Sequence, residues 1–155
     1  METYTSLAAK LRNADSGWEI SGPQPKSRVA EVEEHLNILL PESYKRYLTD
    51  VGAMAYSDLV FDGLDDNYLH PDFGFGRLTR SLQKARSLPS GLFVLEFDQD
   101  MDEIACLDLN SMSDGECVVV WFDVHSNAVE TSPYGNFDEY FRDTIRKWLA
   151  GASAA

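Results

Sequence analysis

The sequence is poor in the residues that build disulfides, metal centres and nucleophiles. It has two cysteines, Cys106 and Cys117, and three histidines, His35, His70 and His125. Two thiols do not make a disulfide framework, which points to a reduced, cytoplasmic protein. A zinc site needs a cluster of Cys and His. Here those residues are scattered, with no C-x-x-C or H-x-x-x-H spacing. There is no G-x-S-x-G nucleophile elbow and no phosphate-cradling glycine loop, and Gly74-Phe75-Gly76 is too short a match to count. Long apolar runs are also missing. The longest wholly apolar run, Val118–Phe122, is far too short to span a bilayer. The opening stretch METYTSLAAKLRNADS holds no apolar segment of signal-peptide type.

Positive charge is scarce as well. Against 26 acids stand 13 bases, a net charge of −13. That argues against a nucleic-acid binder, which carries a basic footprint. The deficit is local. Residues 1–57 hold 8 acids and 6 bases, and residues 124–155 hold 4 and 3. Residues 58–123 hold 14 acids and only 4 bases. A negative surface keeps a protein soluble and monomeric, and it also suits a basic partner.

At 155 residues the chain is one domain, 1–155, with 1–13 and 151–155 peripheral. The hydrophobic share of 44% lets it bury a core without disulfides or metals. The organising stretch is Gly91–Asp123. Runs 92–97, 104–109 and 117–122 are rich in β-branched, aromatic or leucine residues and are bounded by Asp, Asn, Ser or Gly. Their connections are too short for parallel crossovers, so they form an antiparallel meander of adjacent strands. Both faces are apolar, as in a sheet covered on both sides. The fold class is therefore α+β: an antiparallel sheet of four to six strands with N-terminal helices and a C-terminal helix packed on it.

Elsewhere, Thr3–Leu11 reads as a short helix and Trp18–Ile20 as a very short strand. After the Gly22–Pro25 break, Ser27 is a candidate N-cap for a helix with Val29, Val32, Leu36 and Leu39 on one face. Leu40-Pro41 opens a second helix whose apolar face is Tyr44, Tyr47, Leu48 and Val51, ended by Gly52. Leu59–Phe61 and Asn127–Thr131 read as strands. Thr79 is a candidate cap for a helix to Arg86. Asn136 and Glu139 resemble a capping box before the closing helix 136–149, and the tail 151–155 reads as frayed.

No catalytic, cofactor or metal residues emerge. Asp98, Asp100 and Asp102 imitate the start of an EF-hand loop, but Glu103 and Leu109 stand where that loop needs Gly and Glu, so a solvated turn is the better reading. Cys106 falls inside an apolar strand, where thiols are usually inert packing groups.

Trp18-x-Ile20-x-Gly22-Pro23, Glu33-x-x-Leu36, Leu40-Pro41-x-x-Tyr44-x-x-Tyr47-Leu48 and Gly52 together resemble the SUKH superfamily. Leu88-Pro89-x-Gly91, Cys106-Leu107-Asp108 and Asp114-Gly115-Glu116-Cys117-Val118-Val119-Val120-Trp121 continue the resemblance, which runs in order from Trp18 to Leu149. One departure is Ala53, where members often carry a second glycine. The superfamily groups bacterial immunity proteins with a fungal regulator of cell-wall assembly. The resemblance implies a binding protein, not an enzyme: an immunity protein that neutralises the C-terminal toxin domain, often a nuclease, of a secreted polymorphic toxin. The alternative is a non-catalytic interaction or regulatory module of the same fold.

The expected partner is a basic toxin domain, with no nucleic acid, membrane or cofactor bound. It should meet acidic loops at the sheet: Asp62, Asp65 and Asp66, then Asp98, Asp100, Asp102 and Glu103, then Asp114 and Glu116. Tyr68 and Phe73 are the candidate aromatic anchors.

Overall fold

The structure, a computed structural model, describes the backbone of residues 1–154 and the side chains of residues 1–152. Helix α1 (Tyr4–Ala14) starts where the Thr3 hydroxyl accepts the Ser6 N–H, and it buries Leu7, Ala8 and Leu11 as their spacing predicts. β1 (Trp18–Ile20) follows. α2 (Lys26–Leu36) begins after Pro25, so Ser27 lies inside the helix and is not its cap. Asn37 then takes a left-handed φ of 53° and stops the helix, which leaves Leu39 74% exposed instead of extending the apolar face.

α3 (Glu42–Asp50) buries Tyr44, Tyr47 and Leu48. Gly52 follows at φ 85°; a Cβ there would lie 2.2 Å from the Ser21 hydroxyl and 2.4 Å from the Gly22 carbonyl oxygen. Glycine is required on both counts. β2 (Met54–Tyr56) and β3 (Leu59–Phe61) form a hairpin. α4 (Arg77–Arg86) is entered through Gly76, not Thr79. Thr79 is instead buried, and its hydroxyl accepts the Val94 N–H at 2.8 Å.

The run 92–97 divides in two. β4 (Leu92–Val94) pairs with β6 (Glu103–Asp108), and β5 (Glu96–Phe97) pairs with β3. Leu95 is the crossing point. Its N–H donates to Ala105 and its carbonyl accepts from Asp62 N–H. β6 pairs with β7 (Val119–Asp123), and β7 with β8 (Val129–Thr131). The result is an α+β fold with two antiparallel four-stranded sheets, ordered β1-β2-β3-β5 and β4-β6-β7-β8. Leu109–Ser111 is a 3-10 turn beyond the end of β6.

Both faces of the second sheet are covered over β4, β6 and β7, as its composition predicts, while the edge strand β8 is exposed. Phe93, Ala105, Leu107 and Val119 join the main core with the aromatic rings of Tyr4, Tyr44, Tyr47, Phe137 and Phe141. Val94, Ile104, Cys106, Val120 and Phe122 face the other way, under Leu78 and Leu82 of α4. The two thiols are free and belong to opposite faces: Cys106 to the α4 side and Cys117 to the main core.

α5 (Phe137–Ala154) closes the main core. Asn136 accepts the Glu139 N–H, and the Glu139 carboxylate reaches back to the Gly135 N–H, a capping box displaced by one residue. The helix runs through 151–154, where the sequence reads as frayed; Ala155 lies outside the described residues.

Candidate functional site

A meander sends alternate turns to opposite ends of its sheet, and this divides the predicted acidic residues. The turn between β5 and β6 lies at the Glu103 end of the ladder. The turn between β6 and β7 lies past Leu107 and Val119, at the other end. They do not form one surface.

At the first end, Asp98 accepts the Asp100 N–H at 3.0 Å and shapes the turn. Asp100, Asp102 and Glu103 are exposed. Glu103 pairs directly across the ladder with Asp123, and like charges placed opposite each other destabilise a sheet. Asp123 was not among the predicted site residues. Its carboxylate accepts the backbone N–H groups of Ser126 and His125, which hold it below its ordinary range. Asp102 meets the His125 ring at 2.7 Å. Among the described residues no lysine or arginine forms an ion pair with Asp98, Asp100, Asp102, Glu103 or Asp123. The negative charge is held in place by backbone and histidine, and is left largely unneutralised.

Beside this turn lies a cleft of about 430 Å³, mainly apolar but with Arg77 and Arg86 of α4 also in its lining. Val60, Phe97, Met101 and Val124 contribute its apolar surface with Leu78 and Leu82, and Asp58 of the β2–β3 turn lies among its lining residues. Register explains the floor. Glu19, Ala55, Val60 and Phe97 stand side by side across the first sheet, on the face turned away from Trp18, Met54 and Phe61. A second cleft, about 600 Å³, shares Val60, Arg77 and Leu78 with it and continues toward Asp65 and Phe73. The bases of this half of the chain, Arg77, Arg80, Lys84 and Arg86, all belong to α4. Charge is thus segregated: acid on the strands and turns, base on the helix. Asp58, Asp123, His125 and the cleft depend on strand register, which is why sequence reasoning missed them.

At the second end, Asp114 is exposed and sits at a left-handed φ of 53°. Glu116 is tied down. Its carboxylate accepts the Ser43 N–H at 3.1 Å and the Ser43 hydroxyl at 2.5 Å, while the Gly115 carbonyl accepts the Glu42 N–H. α3 has no side-chain cap of its own, because Pro41 stands at that position. Glu116 supplies the missing acceptor at the positive end of the helix. Glu116 thus has a structural role at the start of α3.

Asp62 is also withdrawn from the surface. It is 7% exposed, and its two carboxylate oxygens accept Gly63 N–H at 2.8 Å and Gly76 N–H at 3.2 Å. Its carbonyl accepts the Tyr44 hydroxyl. The carboxylate therefore clasps the two ends of the 63–76 loop. Burial raises its pKa from 3.8 to about 7, with the two N–H donors and then Arg77 and Arg80 opposing. Asp65 accepts the Asn67 N–H, and Asp66 lies 3.7 Å from Arg28. The Tyr68 hydroxyl donates to Glu31 at 2.6 Å with Arg28 over the ring, so that tyrosine is committed to α2. Phe73 is 66% exposed and stacks on His70. Of the two predicted anchors, Phe73 is the more exposed and Tyr68 is half-buried.

No group of three or more His, Cys, Asp or Glu side chains gathers in a metal-holding arrangement among the described residues, and none of the described helices is long and apolar enough to cross a membrane. Burial pushes both thiols up to about 12. Thiolates are thereby disfavoured.

The architecture defines the class: an α+β domain with two antiparallel sheets under helices, an acidic sheet end and an apolar cleft beside it. The chain belongs to the SUKH superfamily. The family model SUKH_5, described as SMI1-KNR4 cell-wall, matches residues 5–149, nearly the whole chain.

Proposed function

We propose that this chain is a cytoplasmic immunity protein. It binds the C-terminal domain of a secreted polymorphic toxin, a basic nuclease domain, and blocks it without catalysing a reaction. The observation that carries this reading is the acidic end at Asp98–Glu103, where Glu103 faces Asp123 and no lysine or arginine answers them among the described residues. A nuclease cleft that holds phosphates is basic, so carboxylates placed there exclude the substrate and relieve their own repulsion. The neighbouring apolar cleft supplies desolvated contact area for a slow-dissociating complex. Membership of the superfamily is consistent with this role.

A second reading is a non-catalytic interaction or regulatory module of the same fold, and the family description, SMI1-KNR4 cell-wall, is compatible with it. One experiment separates them. The chain is co-expressed with the C-terminal toxin domain that this reading expects to be encoded beside its gene. Restored growth and a stable one-step co-purification are expected. Continued toxicity with no complex would leave the regulatory reading.

A further inference from the structure

We propose that the cleft between the C-terminal ends of α1 and α5 binds the guanidinium of an arginine side chain on a protein partner. This site rests on its own geometry and does not depend on the immunity reading.

Three aromatic rings meet there. Trp18 and Tyr56 have centroids 5.1 Å apart, Trp18 and Trp148 5.2 Å, and Tyr56 and Trp148 5.7 Å. Trp148 stands nearly perpendicular to Trp18, at 87°, and remains 37% exposed. All three rings line an open cleft of about 350 Å³ whose wall continues through Gly151 and Ala152. That space accepts an arginine head with part of its methylene stem.

Asp15 lies in the same lining. One of its oxygens accepts the Gly17 N–H at 2.8 Å and the other the Tyr56 hydroxyl at 2.6 Å. Both donors are neutral, so they orient the carboxylate without cancelling its charge. No lysine or arginine pairs with Asp15 among the described residues. Lys147, the one base in the lining, is turned toward Asp143 and the Tyr134 hydroxyl. The cleft therefore presents the partly exposed rings of Trp148 and Tyr56 over a buried Trp18, together with an oriented carboxylate, and the one base in its lining is engaged by Asp143.

Guanidinium answers this arrangement better than other organic cations. Its plane stacks on an exposed indole while its N–H groups reach the remaining lone pairs of the carboxylate. A quaternary ammonium has no N–H to give, and a lysine ammonium cannot stack. Tyr56 runs directly into the Ser57–Asp58 turn, so the cleft lies at the same end of the first sheet as Asp58.

The test is a titration of the full chain with N-acetylarginine amide, N-acetyllysine amide and choline, read by the indole N–H resonances in NMR. Trp121, in the second sheet, is the internal control. With the arginine derivative, saturable millimolar shifts are expected at Trp18 and Trp148 and none at Trp121. Trp148→Ala should weaken binding about tenfold. Asp15→Asn, which keeps an acceptor for Gly17, should weaken it about fivefold. Shifts that do not saturate, or that persist unchanged in Trp148→Ala, would overturn the site. Choline binding as tightly as arginine, with no response to Asp15→Asn, would overturn the guanidinium assignment.

Discussion

Between β5 and β6 the chain turns through Asp98, Asp100, Asp102 and Glu103; between β6 and β7 it turns through Asp114 and Glu116. The first turn spends its carboxylates on its own backbone and on His125, and leaves Asp100 and Glu103 with no partner among the described residues. The second delivers Glu116 into the first turn of α3, where Ser43 takes both oxygens. Asp62 is the extreme of the bonded kind, buried with both oxygens on backbone N–H groups. Acidity in a turn therefore has two meanings. A carboxyl group with intramolecular donors is engaged inside the fold, although burial makes the ionised form of Asp62 costly. One facing another carboxylate across a ladder weakens the fold, and its charge is available to something else.

Three substitutions sharpen that contrast on the stability side. The largest effect belongs to Asp62. Its folded pKa, about 7, lies above the ordinary 3.8, so the folded state keeps a proton that the unfolded state releases. The stability this adds is fully present below pH 3.8 and is lost as pH rises through about 7. Denaturant melts across that window should show Asp62→Asn removing a pH-dependent component on the order of 3 kcal/mol. The comparison must be wild type against variant, because Asp138 and Asp143 are held low by their partners and titrate with the opposite sign. An unchanged slope would mean that Asp62 is not a buried, proton-holding clasp.

Next comes Glu116→Ala. Loss of two hydrogen bonds at the start of α3 should cost about 2 kcal/mol and lower the melting temperature by several degrees. A neutral result would return Glu116 to the list of displayed acids. The smallest effect, and of opposite sign, is Glu103→Gln. Removing the repulsion across from Asp123 should raise stability by about 0.2–1 kcal/mol, measured by the same melts.

Periodicity exposed much of this architecture. The faces of Val119–Phe122, the Tyr44/Tyr47/Leu48 stripe and the closing helix all follow from spacing of 2 or 3.6 residues, which is local information. Val118, expected on the face of Val120 and Phe122, instead precedes β7 and is 39% exposed. The crossing at Leu95 was hidden because it depends on which strand each of its backbone groups meets. Ser27 and Thr79 failed as caps because Pro25 and Gly76 already fixed the entry to each helix. Leu39 fits the helical spacing, but the left-handed Asn37 ends the helix before it. The candidate site was legible in composition but not in arrangement. The acids of the first turn are where the charge count puts them. Alternate meander turns, however, face opposite ends, and Glu116 could be seen as a cap only once α3 was docked beside it. Asp123 needed register, and Asp62 needed burial.

The central claim is that a basic partner meets the first turn and not the second. The direct measurement is the association rate with the cognate toxin domain, at low and at moderate salt, for two variants. One replaces Asp98, Asp100 and Asp102 with Asn and Glu103 with Gln; the other replaces Asp114 with Asn and Glu116 with Gln. The first variant should associate at least about tenfold more slowly at low salt and lose most of its salt dependence. The second should match wild type in both, at a temperature where it remains folded. Equal effects from the two variants, or none from the first, would contradict the account and move the interface away from the acidic end.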